Sequence, residues 1–471
     1  MQKIIILLCL SLLFTACGRV TKPDLDALYK IETRQAMDIE GGDPQPPVII
    51  IPGIVSTELV DKDGKEVWFG SLMKILFSDY EDLALDIAPD TLLPEPSSIV
   101  PGELPHKLLG LDFYGTLFDV LEDYGDYQYT ELGTAYTGSG RRYYKFPYDW
   151  RYDSVQAAKK LDEFIEQVRK DYQSPDLEVD LVAHSMGGLI ARYYMRYGSE
   201  DVLDDNDFPV TQAGAKKVRR FVQLGAPNLG SIAALHQLIE GYPVVIGAVP
   251  VEVIATMPAV YQLLPHPLHD WLVNNKGETL DRDLFDVKTW QRFEWGIFSE
   301  KVIKRIKKQY EDPAEGQARV DLLQRYFHKH IERARRFVWS LSVPVPDLEY
   351  SIVAFGGNCQ ATPARLLTEE VDGLSKVRLW PNEIKHKVKG VNYKRLMLEP
   401  GDGRVTKPSM LAKNFLDPTR ARHKYSFFPL KYAFFLCHGH GQLTGNVNFQ
   451  DNLLNVLLER SHAAMHKEMG M

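Results

Sequence analysis

LEVDLVAHSMGGLIARYYMRYG, at residues 177–198, is the stretch that decides the fold of this chain. Its apolar first part, Val179–Ala183, predicts a short buried strand, and Leu189–Tyr197 predicts a helix that follows almost at once. The turn between them has the pattern small-x-Ser-x-small around Ser185. A serine held in a strained backbone conformation between a strand and a helix needs small neighbours two residues away on each side. This turn meets that requirement.

A serine at such a turn is a candidate nucleophile. The helix that follows directs its positive N-terminal end, together with the backbone amide of Met186, towards any oxyanion that forms near Ser185. We therefore predict Ser185 as the nucleophile and the Met186 amide as one oxyanion donor. The alternative interpretation is an ordinary strand–helix turn that happens to contain a serine.

Length and charge exclude one class of function. The chain has 471 residues, enough for one large core or two, and its apolar and charged fractions are those of a globular protein. Its net charge of -8 provides no basic footprint for nucleic acid. We expect no nucleic-acid partner.

The first residues predict export and lipidation. Residues 1–16 contain one lysine and an apolar run too short to span a bilayer, as in a signal peptide. The run ends in Thr15-Ala16-Cys17, which resembles a bacterial lipobox with Cys17 as the lipidated residue; a plain secretory signal is the alternative. Acyl chains on Cys17 would anchor the protein, and Gly18, which is not an aspartate, favours the outer membrane of a bacterial cell envelope. Residues 17–46 are predicted to be a lipidated N-terminus and tether.

Strands and helices alternate after the tether. Val48–Ile51 predicts an interior parallel strand, and the turn that follows offers the backbone amide of Ile54 as a second oxyanion donor. Val218–Leu224 predicts a further strand. The alternation predicts an α/β fold with a mostly parallel, doubly covered sheet. The alternation stops after residue 231, the chain is then predicted to be mainly helical to residue 345, and a strand pattern returns at Tyr350–Phe355. This predicts a core in two halves, 47–231 and 346–471, with a helical cap at 232–345.

Two parts of the predicted cap bear on lipid contact. The apolar, proline-broken segment Tyr242–Leu264 is expected to cover or line the acyl site and to meet lipid aggregates. The basic run at 301–308 is either a solvated helix face or, less readily, a site for lipid headgroups.

Acid and base candidates follow in the second half of the core. Asp402 lies in a glycine-rich turn, and both His438 and His440 follow the last predicted strand. Nucleophile, acid and base in this order suit a catalytic triad in which histidine accepts the serine proton and aspartate orients the histidine. Cys359 and Cys437 also follow strands, and they form either a disulfide or two unpaired thiols.

With these motifs in place, the chain resembles the lecithin:cholesterol acyltransferase family, which includes lysosomal phospholipases and phospholipid:diacylglycerol acyltransferases. The residues that carry the resemblance are Pro47–Ile54, Pro147–Arg151 (PYDWR), Val182–Gly188 (VAHSMGG), Leu224–Ser231 (LGAPNLGS), Met257–Pro265, Gly401–Gly403 and His440. The resemblance implies an α/β-hydrolase core with a cap, no metal or other cofactor, and acyl-ester chemistry through an acyl-serine. It also favours His440 over His438 as the base, because His-Gly-x-Leu before a helix is the family's arrangement.

The chain departs from the family at two points. Arg404 stands where a small hydroxyl residue is common, and the lid disulfide of mammalian members has no counterpart because no cysteine lies between Cys17 and Cys359. The expected function is a serine-dependent hydrolase or acyltransferase acting on phospholipid or related lipid esters, with no obligate protein partner and with hydrolysis as the default. The alternative is a non-catalytic surface lipoprotein that uses the fold for binding.

Overall fold

The computed structural model describes residues 22–29 and 45–458, except 71–73, 75–77, 79, 109–110, 113, 139, 206, 245–246, 346–347 and 413–427. The predicted signal segment and Cys17 lie outside the described residues, so lipidation stays a prediction. Among the helices within these ranges, none is both long enough and apolar enough to cross a bilayer.

The strands follow one another along the whole described chain. They are β1 Val48–Ile51, β2 Leu59–Val60, β3 Glu66–Trp68, β4 Val100–Pro101, β5 Lys107–Leu108, β6 Leu111–Asp112, β7 Tyr127–Tyr129, β8 Arg141–Lys145, β9 Val179–His184, β10 Val218–Leu224, β11 Tyr242–Pro243, β12 Ala248–Val249, β13 Leu272–Asn274, β14 Ile352–Gly357, β15 Gln360–Pro363, β16 Leu366–Val371, β17 Leu374–Arg378, β18 Leu398–Gly401 and β19 Leu430–Leu436.

The α-helices fall before, within and after the predicted cap. They are α1 Gly115–Asp123, α2 Ser154–Asp171, α3 Met186–Tyr197, α4 Ile232–Glu240, α5 Val251–Ile254, α6 Pro258–Tyr261, α7 Val287–Phe293, α8 Glu300–Lys307, α9 Pro313–Ser340, α10 Tyr393–Met397, α11 Lys407–Met410 and α12 Val447–Leu458.

Seven strands form one parallel sheet in the order β19-β14-β10-β9-β1-β8-β7. Strand β9 lies at its centre, since it pairs with β1 on one side and β10 on the other. Ser185 therefore follows the central strand, at the carboxyl edge where functional loops of parallel sheets gather. The predicted order of strand, serine turn and helix is confirmed, and the fold is the predicted α/β-hydrolase fold.

Both faces of the sheet are covered, as the continuous apolar strand β1 predicts. Ile49 and Ile51 pack into a core cluster with residues of α2 and α3. Val48 and Ile50 point the other way, into a second cluster with residues of α1 and α12. Successive side chains of a strand face opposite sides, so a strand buried on both sides must be apolar throughout.

Helix starts show what the sequence pattern missed. Helix α3 begins at Met186, directly after Ser185, three residues earlier than predicted. Helix α12 begins at Val447, a start that no apolar pattern marks. The side chain of Asn446 accepts hydrogen bonds from the amides of Asn448 (2.8 Å) and Phe449 (3.2 Å), which caps the first turn of α12.

The predicted cap is mainly helical, with α9 as its longest element. One face of α9 is buried, and its apolar residues recur at helical spacing: Val320, Leu323, Phe327, Ile331, Ala334 and Val338. Residues 251–264 are buried as well, so the expectation of an apolar lid exposed to lipid is wrong for this part. Tyr326 of α9 donates to the carbonyl of Thr256 (2.8 Å), which ties the segment beneath α9.

A small sheet joins the cap to the chain beyond it. Strand β13 of the cap pairs in parallel with β16, and β16 pairs antiparallel with β17. The predicted domain boundary at residue 345 stays a prediction, but residues on both sides of it share this sheet. The disulfide alternative is the one present: Cys359 and Cys437 are bonded, with their Cα atoms 4.9 Å apart.

Candidate active site

Ser185 occupies the strained turn that the sequence predicts. Its φ is 52° and its ψ is -122°, a conformation that costs free energy for any residue with a side chain. A Cβ on Gly187 would lie 2.5 Å from the carbonyl oxygen of Pro52, and a Cβ on Gly188 would lie 2.5 Å from the Cβ of Ala226. Glycine at these two positions thus allows α3 to pack directly against the neighbouring loops.

The structure brings His440 against both of its predicted partners. Its Nε2 lies 2.9 Å from Ser185 Oγ, and its Nδ1 lies 2.7 Å from Asp402 Oδ2. The backbone amide of His440 also donates to the carbonyl of Asp402 (3.0 Å), so the two loops are joined twice. His440, rather than His438, therefore holds the position between acid and serine.

Asp402 is held as a carboxylate. Burial alone would raise its pKa, but the charge of His440 and the hydrogen bonds from His440, Val405 and Arg404 outweigh burial and hold the pKa below its ordinary value. Oδ1 accepts from the amides of Arg404 (2.9 Å) and Val405 (2.7 Å). Since Arg404 acts on Asp402 through its backbone, its departure from the family pattern leaves the acid in position.

The two predicted oxyanion donors lie on either side of Ser185. Met186 is the first residue of α3, and a first-turn amide has no acceptor within its own helix. Ile54 lies in the turn after β1, and a Cβ on its neighbour Gly53 would come within 2.9 Å of Ser185 Cβ. The turn that carries Ile54 therefore runs directly beside the serine.

The PYDWR block supports that turn, a role that its sequence does not reveal. Tyr148 donates to the carbonyl of Pro52 (2.8 Å), and Trp150 Nε1 donates to the carbonyl of Thr57 (3.1 Å). Between them, Asp149 and Arg151 form a buried, two-pronged ion pair with a shortest N–O distance of 2.7 Å. The block thus fixes both ends of the 52–57 turn.

His184 and Tyr114 form a buried link that sequence reasoning missed. Tyr114 Oη accepts from the amide of Gly53 (3.0 Å), so its own hydrogen points to His184 Nδ1 (2.9 Å). The proton of His184 then lies on Nε2, which faces the carbonyl of His440 (3.3 Å). Burial, together with the nearby charge of His440, lowers the pKa of His184 to about 3, so this histidine stays neutral. No spacing in the sequence indicates that residue 114 reaches residue 184.

Gly225, in the LGAPNLGS segment, touches the acid–base pair. Its φ is +59°, and a Cβ there would lie 3.1 Å from His440 Nδ1 and 3.2 Å from Asp402 Oδ2. Farther along, Asn228 accepts from Arg192 (2.8 Å) and donates to the carbonyl of Met410 (2.7 Å). The segment therefore packs the backbone closely against the pair and holds the surrounding loops.

The nucleophile of the site is almost buried. Ser185 is 8% exposed, so its hydroxyl lies just below the surface. No group of three or more His, Cys, Asp or Glu side chains suited to a metal ion occurs among the residues that the structure describes. The chemistry available from the described side chains is that of a serine activated by a neighbouring imidazole.

Similarity to solved structures agrees with the fold. The chain is similar to a chain in the crystal structure of the Tle4–Tli4 complex, with 15% identity, 88% of this chain and 99% of that chain covered, and a TM-score of 0.56. It also matches the Bacillus licheniformis lipase BlEst2 in mature form, with 11% identity, 89% and 95% of the two chains covered, and a TM-score of 0.33. At these identities the first similarity shows the fold alone.

Comparison by sequence finds a family similarity over one segment of the chain. No curated protein matches the chain. The family model of lecithin:cholesterol acyltransferase matches residues 133–316, a segment that contains the PYDWR block, Ser185 and the LGAPNLGS segment. Over this segment, which is less than half of its length, the chain is similar to the lecithin:cholesterol acyltransferase family.

Proposed function

We propose that this protein is a serine-dependent lipid acyl-ester hydrolase, with phospholipid or a related lipid ester as substrate. Similarity of residues 133–316 to the lecithin:cholesterol acyltransferase family supports the coarser function, a lipid ester hydrolase or acyltransferase. The observation that carries the serine mechanism is the continuous hydrogen-bonded chain from Asp402 through His440 to Ser185, with distances of 2.7 and 2.9 Å. Binding alone would not require this geometry, which argues against a non-catalytic lipoprotein.

The first half of the reaction forms an acyl-serine. His440 Nε2 takes the proton of Ser185 as Oγ attacks the ester carbonyl carbon, and the carbonyl oxygen becomes an oxyanion. The amides of Met186 and Ile54 donate to that oxygen, where they stabilise charge that exists only in the transition state and intermediate. The intermediate then collapses: the ester bond breaks, and the leaving alkoxide takes the proton from His440.

Asp402 serves this proton transfer without receiving the proton itself. It accepts from His440 Nδ1, so Nε2 is left free to act as the base. Its lowered pKa keeps it ionised at neutral pH, and its negative charge stabilises the imidazolium formed in each step.

The second half decides between hydrolysis and transfer. His440 deprotonates whichever hydroxyl reaches the acyl carbonyl, and the acyl–serine bond breaks as the proton returns to Ser185 Oγ. Water is present at roughly 55 M, so transfer requires an alcohol held near the carbonyl at a high effective concentration. We propose hydrolysis as the default, with transfer when a lipid alcohol is supplied in the bilayer.

The test compares two triad residues with a second histidine of the same loop. Ser185→Ala and His440→Ala should lower kcat for a p-nitrophenyl ester by on the order of 10⁴ to 10⁶, because each removes the activated nucleophile. His438→Ala is the matched control: it is a histidine of the same loop, and its variant should keep near-normal activity. A dead His438 variant with an active His440 variant would reverse the assignment.

The acceptor is tested with labelled phospholipid in vesicles, with and without a sterol or long-chain alcohol. Free fatty acid should dominate in both, with some ester when the alcohol is present. Ester as the main product would show that acyl transfer, and not hydrolysis, is the main reaction. A wild type that binds the vesicles but forms no product would instead support the non-catalytic alternative.

A further inference from the structure

A basic loop stands out on the segment that leads to the catalytic acid. The chain leaves the carboxyl end of β14 at Gly357 and returns to that end of the sheet at Asp402. Strands β15 and β18 close the excursion, with Gln360 paired to Gly401 next to Asp402. The excursion, residues 358–401, is therefore rooted at the catalytic end of the sheet.

Its most charged part is residues 385–395, here called the basic loop. The sequence KHKVKGVNYKR contains five Lys or Arg residues and no Asp or Glu, on a chain whose net charge is -8. The five are Lys385, Lys387, Lys389, Lys394 and Arg395, and all are exposed. None of them forms an ion pair with another residue of the described ranges, so their charge is available to a partner.

The backbone of the basic loop is fixed from within. The buried carboxylate of Glu369 accepts from the amides of Lys385 (3.0 Å) and His386 (2.9 Å). Tyr393 Oη accepts from the amide of Val388 (2.7 Å) and donates to the carbonyl of Asn275 (2.6 Å). Because the inward groups of the backbone are occupied, the lysine side chains project outwards from a set position and lose little freedom on binding.

One exposed apolar side chain stands among these charges, and a second lies on the neighbouring β16–β17 hairpin. Val388, between Lys387 and Lys389, is 40% exposed, and Leu374, at the end of the β16–β17 hairpin, is 47% exposed. They are two of the few large apolar side chains that the described chain leaves this exposed. Exposed acids occur beside Leu374, at Glu370 and Asp372, so the positive charge is concentrated in the basic loop.

We propose that the basic loop, together with Val388, docks the protein on an anionic lipid bilayer. The proposal rests on the proposed function, since a lipid ester substrate lies in a membrane. Lysine and arginine are attracted to the negative surface of a bilayer, while an apolar side chain between them enters the headgroup region. Nucleic acid would match the charge as well, but it offers no apolar layer for Val388.

Docking at this place has a consequence for the site. The excursion that carries the basic loop ends on the loop of Asp402, so docking would hold the protein by an element that leads directly into the loop of the catalytic acid. Adsorption then raises the local concentration of lipid ester near the serine. The attraction acts within about 10 Å at 0.1 M salt, so docking should weaken as salt rises.

The test measures binding with the chemistry removed. The full chain carrying Cys17→Ser and Ser185→Ala is sedimented with vesicles of phosphatidylcholine, with or without phosphatidylglycerol, at low and high salt. Replacing Lys385, Lys387 and Lys389 with Gln should weaken binding to the anionic vesicles by on the order of 100-fold at low salt, and hardly change binding to phosphatidylcholine.

A matched control removes the same charges elsewhere. Lys301, Lys307 and Lys308 lie in or directly after α8, are exposed, and are also three lysines. Their triple Gln variant has the same net charge as the loop variant, and it should bind like its parent. The proposal would be overturned if both variants lost binding to anionic vesicles equally, or if the loop variant lost none. Binding of DNA in preference to anionic vesicles would also overturn it.

Activity separates this proposal from the proposed function. In the background with Ser185 intact, the loop variant should hydrolyse a soluble monomeric ester at the parent's rate, which also shows that it folds. Loop-dependent docking without any ester hydrolysis would leave the docking surface standing and refute the enzymatic function. Ester hydrolysis by a protein whose docking does not depend on the basic loop would leave the proposed function standing and refute the docking surface.

Discussion

At the scale of single residues, the site is packed so closely that one added carbon atom would clash at several glycines. Gly53, Gly187 and Gly225 each lie where an added Cβ would come within about 3 Å of another group at or beside the site. Substitution there tests the geometry of the site more finely than removing a triad residue, because every catalytic group remains.

Gly225→Ala is the sharpest such substitution. The new methyl group would press on His440 and Asp402 from 3.1 and 3.2 Å, and the positive φ adds backbone strain. We expect kcat for a soluble ester to fall by roughly 10-fold, since the acid–base pair must shift by a few tenths of an ångström and a misplacement of about 1 Å can cost about 100-fold. Steady-state kinetics of the purified variant measure it.

Gly64→Ala controls for the strain alone. Gly64 also has a positive φ, of +75°, but a Cβ there has no neighbour within 4 Å. Both variants should lose about 1 to 2 kcal/mol of stability from the left-handed backbone, and only Gly225→Ala should lose activity. Comparable rates for the two would show that Gly225 does not constrain the acid–base pair.

At the scale of elements, the disulfide ties two neighbouring strands at their carboxyl ends. Cys359 follows β14 and Cys437 follows β19, three residues before His440. Strand β19 is the edge strand of the sheet, so it has a pairing partner on one side only. The disulfide therefore restrains the start of the loop that carries the catalytic base.

Replacing both cysteines with serine should therefore affect stability and rate together. The bond closes a separation of 78 residues, and loss of such a restraint costs about 4 kcal/mol in the chain-entropy account. We expect the urea midpoint to fall and kcat to drop several-fold, as the His440 loop gains freedom. Reductant should lower the urea midpoint and kcat of the wild type in the same way and leave those of the double variant unchanged. If reductant changes neither quantity in the wild type, the two thiols are not joined.

At the scale of the whole molecule, buried neutral histidines make stability depend on pH. The pKa of His184 falls from its ordinary 6.5 to about 3, chiefly because the ring is buried and also because His440 lies nearby. As pH falls below about 6.5, the unfolded chain takes up a proton that the folded chain does not, so folding becomes less favourable. The contribution of His184 to the free energy of unfolding is fully present above pH 6.5 and declines as the pH falls from there to about 3.

His184→Gln isolates this contribution, because His330, whose pKa is also lowered by burial, to about 4, remains in both proteins. Between about pH 6.5 and about pH 5, the wild type should lose on the order of 2 kcal/mol more stability than the variant. Urea unfolding at each pH measures the difference. The lowered pKa of Asp402 acts below its ordinary value of 3.8, outside that window. Parallel pH profiles for the two proteins would mean that His184 titrates normally when folded.

The sequence by itself determined the core of the fold and the candidates for the triad. Both follow from local pattern: an apolar run such as β1 suits only a strand covered on both faces, and the turn around Ser185 tolerates only small neighbours. The order of serine, aspartate and histidine along the chain then agrees with a known arrangement of catalytic groups. Local chemistry is visible in a sequence because it depends on residues that are near one another in the chain.

Tertiary structure alone decided what depends on distant parts of the chain. That residues 251–264 are buried follows from the packing of α9 over them. The link from Tyr114 to His184 and the brace from Tyr148 to Pro52 join residues 70 and 96 positions apart. Such contacts leave no periodic signal, since each partner satisfies its own local pattern equally well with or without the other.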